Sequence, residues 1–310
     1  MAALGILIGS ANYHTEQQLP CCPRDVGMVA SLLEATGRFD AIHKLVDRDA
    51  AELKRDLRGI FQPLEDLHEL FFYFSGHGHA EEGEFYFCPI DFNRDRPNVT
   101  GLSHSELMVL IRDVSPELTV QVIDACNSGT RLLKFSEEMF PNDKAALKNL
   151  VRIAACGETE NAITGSQLSP FTERFSLAAS RPGDGPVYYT DIISALRDEY
   201  RRNSDRTPQF VLQASARETF IDDAQQLADF RARLTAEWGD LADTDAVSAE
   251  VTPPAPGPTL ADRLGALDAR MAKKDEVPAY VDRLFNGLLE RLLREEFQAF
   301  DLATAEHKHF

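Results

Sequence analysis

Short apolar runs separated by amphipathic stretches dominate the first two thirds of the chain. Ala3 to Gly9, Ile42 to Val46, Leu70 to Phe74, Leu118 to Ile123 and Val151 to Cys156 are runs of strand length, rich in aliphatic, β-branched or aromatic residues, and another begins at Pro208. Between them Val26, Val29, Leu32 and Leu33 recur at helical spacing up to Gly37, a residue type that ends helices in the left-handed conformation. Ala50 to Phe61, Leu102 to Ile111, Pro170 to Ala179 and Tyr189 to Arg201 also read as helices. Such alternation predicts an α/β fold whose strands pair in parallel through right-handed crossovers. Glu84 to Pro89 alternates aromatic and polar residues, which predicts a strand or hairpin arm.

Two stretches depart from this pattern. Thr130 to Leu150 carries Arg131, Lys134, Lys144 and Lys148 among polar residues, and is expected to be an exposed linker accessible to proteases. From residue 222 to 310 the chain reads as helical and acidic, with a proline-rich break at 251–258. A domain over 1–221 and a helical C-terminal region over 222–310 are therefore expected. Between Val281 and Phe300 an apolar stripe runs along one helical face, suited to packing in its own domain or to binding a partner.

Composition narrows the function classes. The net charge of −18 argues against a general nucleic-acid or anionic-membrane binder and is compatible with cationic substrates. No apolar run approaches the roughly 20 residues of a membrane span. The first residues, Met1-Ala-Ala-Leu-Gly-Ile, lack a basic leader and read as a strand. Five cysteines, an odd number, favour reduced thiols in the cytoplasm over a disulfide framework. His77, His79 and Cys88 lie close enough in sequence for zinc, yet no paired ligand motif accompanies them.

Candidate chemistry sits at two strand ends. Val120 to Gly129 is an apolar strand closing on Asp-Ala-Cys-Asn-Ser-Gly, and Leu70-Phe-Phe-Tyr-Phe-Ser-Gly-His-Gly is an aromatic one closing on a histidine. In open α/β sheets the strand ends carry the ligand crevice. Only a small fraction of an ordinary thiol is thiolate at neutral pH, so a nearby imidazole activates it and later protonates a leaving amine. His77 and Cys126 are thus candidates for a catalytic pair, with the backbone N–H groups of Gly78 and Cys126 as an oxyanion hole. A buried structural cysteine beside a turn histidine is the other reading.

The boxes Tyr73-Phe-Ser-Gly-His-Gly and Asp124-Ala-Cys-Asn-Ser-Gly resemble the histidine and cysteine boxes of caspase-like cysteine peptidases, closest to the prokaryotic metacaspase-like branch. His77 and Cys126 lie 49 positions apart, near the roughly 50 of caspases. Asn12-Tyr13, Cys22-Pro-Arg-Asp25-Val26 and Thr207-Pro-Gln209 resemble further motifs of that branch. The resemblance covers Ala3 to Ala216. It implies a six-stranded, mainly parallel sheet between helices, a His77–Cys126 dyad, and two portions joined by a cleavable linker.

It also implies a specificity pocket at Cys22, Asp25, Ser75 and Asp124. Two carboxylates beside the nucleophile favour a guanidinium or ammonium and repel an aspartate, so cleavage after Arg or Lys is expected. Asp25 as a helix cap and Asp124 as a turn-holder are the plainer readings. Calcium-dependent relatives resemble this chain at Asp91, but Leu102-Ser-His-Ser-Glu106 stands where they carry adjacent aspartates; no metal or other cofactor, calcium included, is expected. Processing at Arg131, Lys134, Lys144 or Lys148, by the chain itself or an upstream protease, is the expected control. Partners are then protein substrates with exposed Arg or Lys, and the resemblance suggests a role in bacterial stress or antiviral defence. A catalytically silent scaffold using its helical C-terminal region is the alternative.

Overall fold

The computed structural model describes residues 2–62, 64, 66–125, 147–155, 168–203, 208–213 and 217–242. The chain divides into two units, residues 1–245 and 246–310, and every described residue belongs to the first. Cys126, Arg131, Lys134, Lys144, Thr207 and the stripe after Val281 lie outside the described residues.

In chain order the elements are β1 (Ala2–Gly9), α1 (Cys22–Thr36), β2 (Ala41–Val46), α2 (Ala50–Phe61), β3 (Leu67–Gly76), β4 (Gly78–Glu81), β5 (Glu84–Phe87), α3 (Pro97–Thr100), β6 (Leu102–Ser103), α4 (His104–Val114) and β7 (Leu118–Ala125). Then come β8 (Asn149–Ala154), α5 (Pro170–Ala179), β9 (Val187–Tyr188), α6 (Tyr189–Asn203), β10 (Gln209–Gln213), β11 (Thr219–Ile221) and α7 (Ala228–Ala242). Six strands form the main sheet in the order β10-β8-β7-β3-β1-β2. Pairing is parallel throughout except at the β10 edge, which runs antiparallel to β8. This is the expected α/β architecture, with the β4–β5 hairpin and β6 as a separate three-stranded sheet.

Alternation along each strand divides the core into two layers. Leu7, Phe71, Tyr73, Val120 and Val122 meet α1, α5 and α6 on one face. Ile6, Ile8, Phe72, Phe74 and Ile123 meet α2 and α4 on the other. Phe71, Phe72, Tyr73 and Phe74 are all fully buried, and burying a large apolar side chain is worth about 1.5–3 kcal/mol. The end of β3 is therefore anchored by a run of four fully buried aromatic residues. The charge-rich segment expected from 222 onward begins inside this core, because Leu227, Phe230 and Leu234 pack on the α1 side.

Several element boundaries differ from expectation: β8 starts at Asn149, so the stretch expected as an exposed linker to Leu150 ends inside the sheet, with Leu147 and Leu150 buried. Leu102 and Ser103 pair with β5, and the helix starts at His104 because the Ser103 side chain accepts the Glu106 N–H as its cap. Helix α1 starts at Cys22, earlier than the apolar spacing indicated, with Pro23 in its first turn and Gly37 closing it at φ 62°. Gly9 explains how closely α1 approaches β1: a Cβ there would lie 2.7 Å from Val26 Cγ2 and 3.1 Å from the Cys22 carbonyl oxygen. Among the described residues, no helix is long and apolar enough to cross a membrane.

Candidate active site

Register sets the site. Ser75 pairs with Gly9 of β1 on one side and Asp124 of β7 on the other, so three central strands end level with one another. Side-chain alternation carries Tyr73, Ser75 and Asp124 to the face covered by α1, whose first turn holds Cys22 and Asp25.

These residues meet. Ser75 Oγ donates to Asp25 Oδ2 at 2.7 Å, and the Ser169 N–H donates to Asp25 Oδ1 at 2.8 Å. Asp124 Oδ2 accepts from the Ser169 hydroxyl and from Thr172 Oγ1 at 2.8 Å. Thr172 Oγ1 in turn lies 2.5 Å from the Tyr73 hydroxyl. Asp25 is fully buried, and its carboxyl bridges β3 to the start of α5. It is not a cap: the N-cap of α1 is Cys21, which makes no side-chain capping bond. Asp124 reaches across to Ser169 and Thr172 as well. The four residues named for the pocket, Cys22, Asp25, Ser75 and Asp124, thus occupy one place.

Electrostatics there are those of crowded acids. Burial above all, then the Asp124 charge and Cys21, pushes the Asp25 carboxyl up to about 8, against the opposing bonds from Ser169 and Ser75. Cys21 and Cys22 share a hydrogen bond that lowers the first thiol and, with burial, raises the second. Among the described residues no ion pair engages Asp25.

His77 follows β3 directly. Its backbone N–H donates to the Tyr13 hydroxyl at 2.8 Å, Tyr13 donates onward to the Cys88 carbonyl at 3.1 Å, and the two rings lie 4.7 Å apart. His77 Nε2 is 2.8 Å from the Gln17 carbonyl oxygen. A carbonyl only accepts, so Nε2 carries the proton and Nδ1 of the neutral ring holds the free lone pair. A Cβ on Gly76 would lie 2.8 Å from the Tyr13 hydroxyl, so glycine is what lets tyrosine reach this backbone. Gly78 opens β4 opposite Phe87, and β7 ends at Ala125, immediately before Cys126.

Ser169, Thr172 and Gln17 escaped the sequence reading, and Tyr13 was named there only as part of a motif, without its bond to the His77 backbone. Ser169-Pro170 opening an apolar helix was a visible capping signal, since Ser169 does accept the Thr172 N–H; its second task, on the aspartates, had no local mark. Elsewhere, Lys148 is exposed beside β8, and Asp91 accepts the Ala50 N–H at 2.8 Å. Glu106 pairs with Lys54 and Arg58 at 2.8 and 3.1 Å. His77, His79 and Cys88 do not gather as ligands: among the described residues the set of three such ligand atoms within 4.8 Å is Cys21, Cys22 and Asp25.

The caspase domain family matches residues 2–226. No curated protein matches. Among solved structures, the crystal structure of protein GSU0716 from Geobacter sulfurreducens is similar at a TM-score of 0.51 and 16% identity, over 70% of this chain and 95% of that one. With the parallel sheet and the strand ends in place, the chain belongs to the caspase-domain family of cysteine peptidases.

Proposed function

We propose that this chain is a cysteine endopeptidase that cleaves after Arg or Lys, with Cys126 as nucleophile and His77 as its base. The observation that carries the specificity is the buried Asp25 carboxyl beside Asp124, one strand register from Ser75 and two residues before Cys126. Burying an acid without an ion partner costs several kcal/mol; an arriving guanidinium or ammonium supplies the counter-charge. An aspartate side chain in the same place adds a third acid.

In the proposed reaction the Cys126 thiol gives its proton to His77 Nδ1, and the sulfur attacks the carbonyl carbon of the scissile bond. The resulting oxyanion takes hydrogen bonds from the N–H groups of Gly78 and Cys126. His77 then protonates the leaving amine, the C–N bond breaks, and a thioester remains. Water, deprotonated by His77, hydrolyses the thioester and restores the thiol. Gln17 holds the imidazole in the tautomer this requires.

Activity without calcium belongs to the same proposal, supported by the engagement of Asp91 with α2 and of Glu106 with two cations. So does control by cleavage at Arg131, Lys134, Lys144 or Lys148. The test is hydrolysis of reporter peptides bearing Arg, Lys or Asp before the scissile bond, in chelator and in calcium. Arg and Lys peptides should be cut, the Asp peptide not, and Cys126→Ala should bring the rate to background with the fold intact. A Cys126→Ala chain as active as the parent removes the dyad, and no cleavage by the parent, whole or processed, leaves the scaffold reading.

A further inference from the structure

We propose that Cys21, Cys22 and Asp25 form a Zn2+ site that shares two ligands with the basic-residue pocket, so that the metal and an Arg or Lys side chain compete for it. The competition rests on the pocket assignment above; the metal site does not.

Two adjacent free thiols stand at the N-cap and first position of α1, and Asp25 lies one turn further on. Their ligand atoms fall within 4.8 Å of one another. Zinc bonds of about 2.0–2.3 Å place tetrahedral ligands roughly 3.5–3.8 Å apart, so a contraction of about one ångström closes the site. Two sulfurs and one carboxylate match zinc, while calcium and magnesium require mostly oxygen. Three protein ligands leave a fourth position for water, the arrangement of exchangeable zinc.

The surroundings also suit a metal. Ser75 Oγ and the Ser169 N–H fix the Asp25 carboxyl, as outer hydrogen bonds orient ligands elsewhere. Cys22 is 1% exposed and Cys21 7%, so Cys21 is the edge from which the ion enters. On binding, each thiol passes its proton to solvent and the sulfur lone pair goes to the metal. The ion then sits on Cys22 and Asp25, where the cationic side chain would lie.

Co2+ titration of the full chain carrying Cys126→Ala, which removes the nucleophilic thiol, tests the site. A thiolate-to-cobalt absorption band that saturates at one metal per chain and disappears on adding Zn2+ is expected. Cys21→Ser and Cys22→Ser should each weaken Co2+ binding at least about tenfold, and Asp25→Asn should weaken it while the thiolate band stays; circular dichroism checks folding. Absence of the band, or its survival at full affinity in both serine variants, overturns the site. In the active chain Zn2+ should raise KM for an Arg peptide at constant kcat, and a fall in kcat at constant KM overturns the competition. Cobalt binding by the Cys126→Ala chain together with no cleavage by the parent, whole or processed, sustains the metal site and sinks the peptidase reading.

Discussion

The two ends of β3 treat a buried carboxylate in opposite ways. Glu69, near the start of the strand, is fully buried and is met by Arg38 at 2.9 Å and by the Tyr189 hydroxyl at 2.6 Å. Burial pushes its carboxyl up, and the Arg38 guanidinium works against that shift. Six residues on, about 20 Å along the strand, Ser75 on the same face meets Asp25, whose partners are a hydroxyl and an amide. One acid has its cation inside the fold. The other has hydrogen bonds only, the condition of a group built to receive a charge from outside.

The comparison breaks most readily through paired substitutions. Asp25→Asn should lower kcat/KM for Arg peptides about 10²–10³-fold, roughly 3–4 kcal/mol, while denaturant stability changes by less than about 1 kcal/mol; an unchanged rate makes Asp25 another structural acid. Glu69→Ala should do the reverse, costing about 2–3 kcal/mol in urea unfolding because it strips Arg38 and Tyr189 of their partner, with the Arg-over-Asp preference unmoved. Ser169→Ala removes both the α5 cap and the donors' bridge to Asp124. It should cost about 1 kcal/mol in stability together with a several-fold rise in KM.

The smallest effect lies on the opposite face of the sheet. There burial, followed by the nearby Arg152 and then Arg112 charges, holds His104 well below the usual histidine range, against a bond from Gln121. Arg152 meets His104 Nε2 at 3.0 Å and Gln121 Oε1 at 2.8 Å. A depressed histidine contributes stability above its unfolded value of about 6.5 and loses it as the pH falls below that. Unfolding free energy should therefore decline between about pH 6.5 and 5, and His104→Asn should flatten that decline without altering peptide preference. A decline of equal slope in the variant assigns it elsewhere.

Much of this was legible before any coordinates. Runs of apolar residues such as Leu70 to Phe74 revealed the strands because full burial on both faces forces every position to be hydrophobic, and the parallel order followed from the intervening helices. The motif resemblance named Cys22, Asp25, Ser75 and Asp124; the register levels Ser75 with Asp124, and the first turn of α1 carries Cys22 and Asp25 to them. Ser169 and Thr172 were illegible because their partners lie 144 and 48 positions away, a separation that leaves no periodic trace. Gln17 acts through a backbone carbonyl, which any residue type provides. The start of α4 was misplaced because Leu102 looks the same in a strand bridge as in a helix; Ser103 was the better guide.

Strands β7 and β8 lie side by side in parallel from Leu118↔Asn149 to Ile123↔Ala154, and Ser169 reaches from beyond β8 to both aspartates on the near side. A chain nicked anywhere between residues 126 and 146 would therefore remain one object. Its halves would be joined by a strand ladder inside the sheet, the first carrying Cys22, Asp25, Ser75 and Asp124 and the second the Ser169 and Thr172 that bond the two aspartates. Separated on a denaturing gel, they would copurify in native buffer, and activity would follow their reunion.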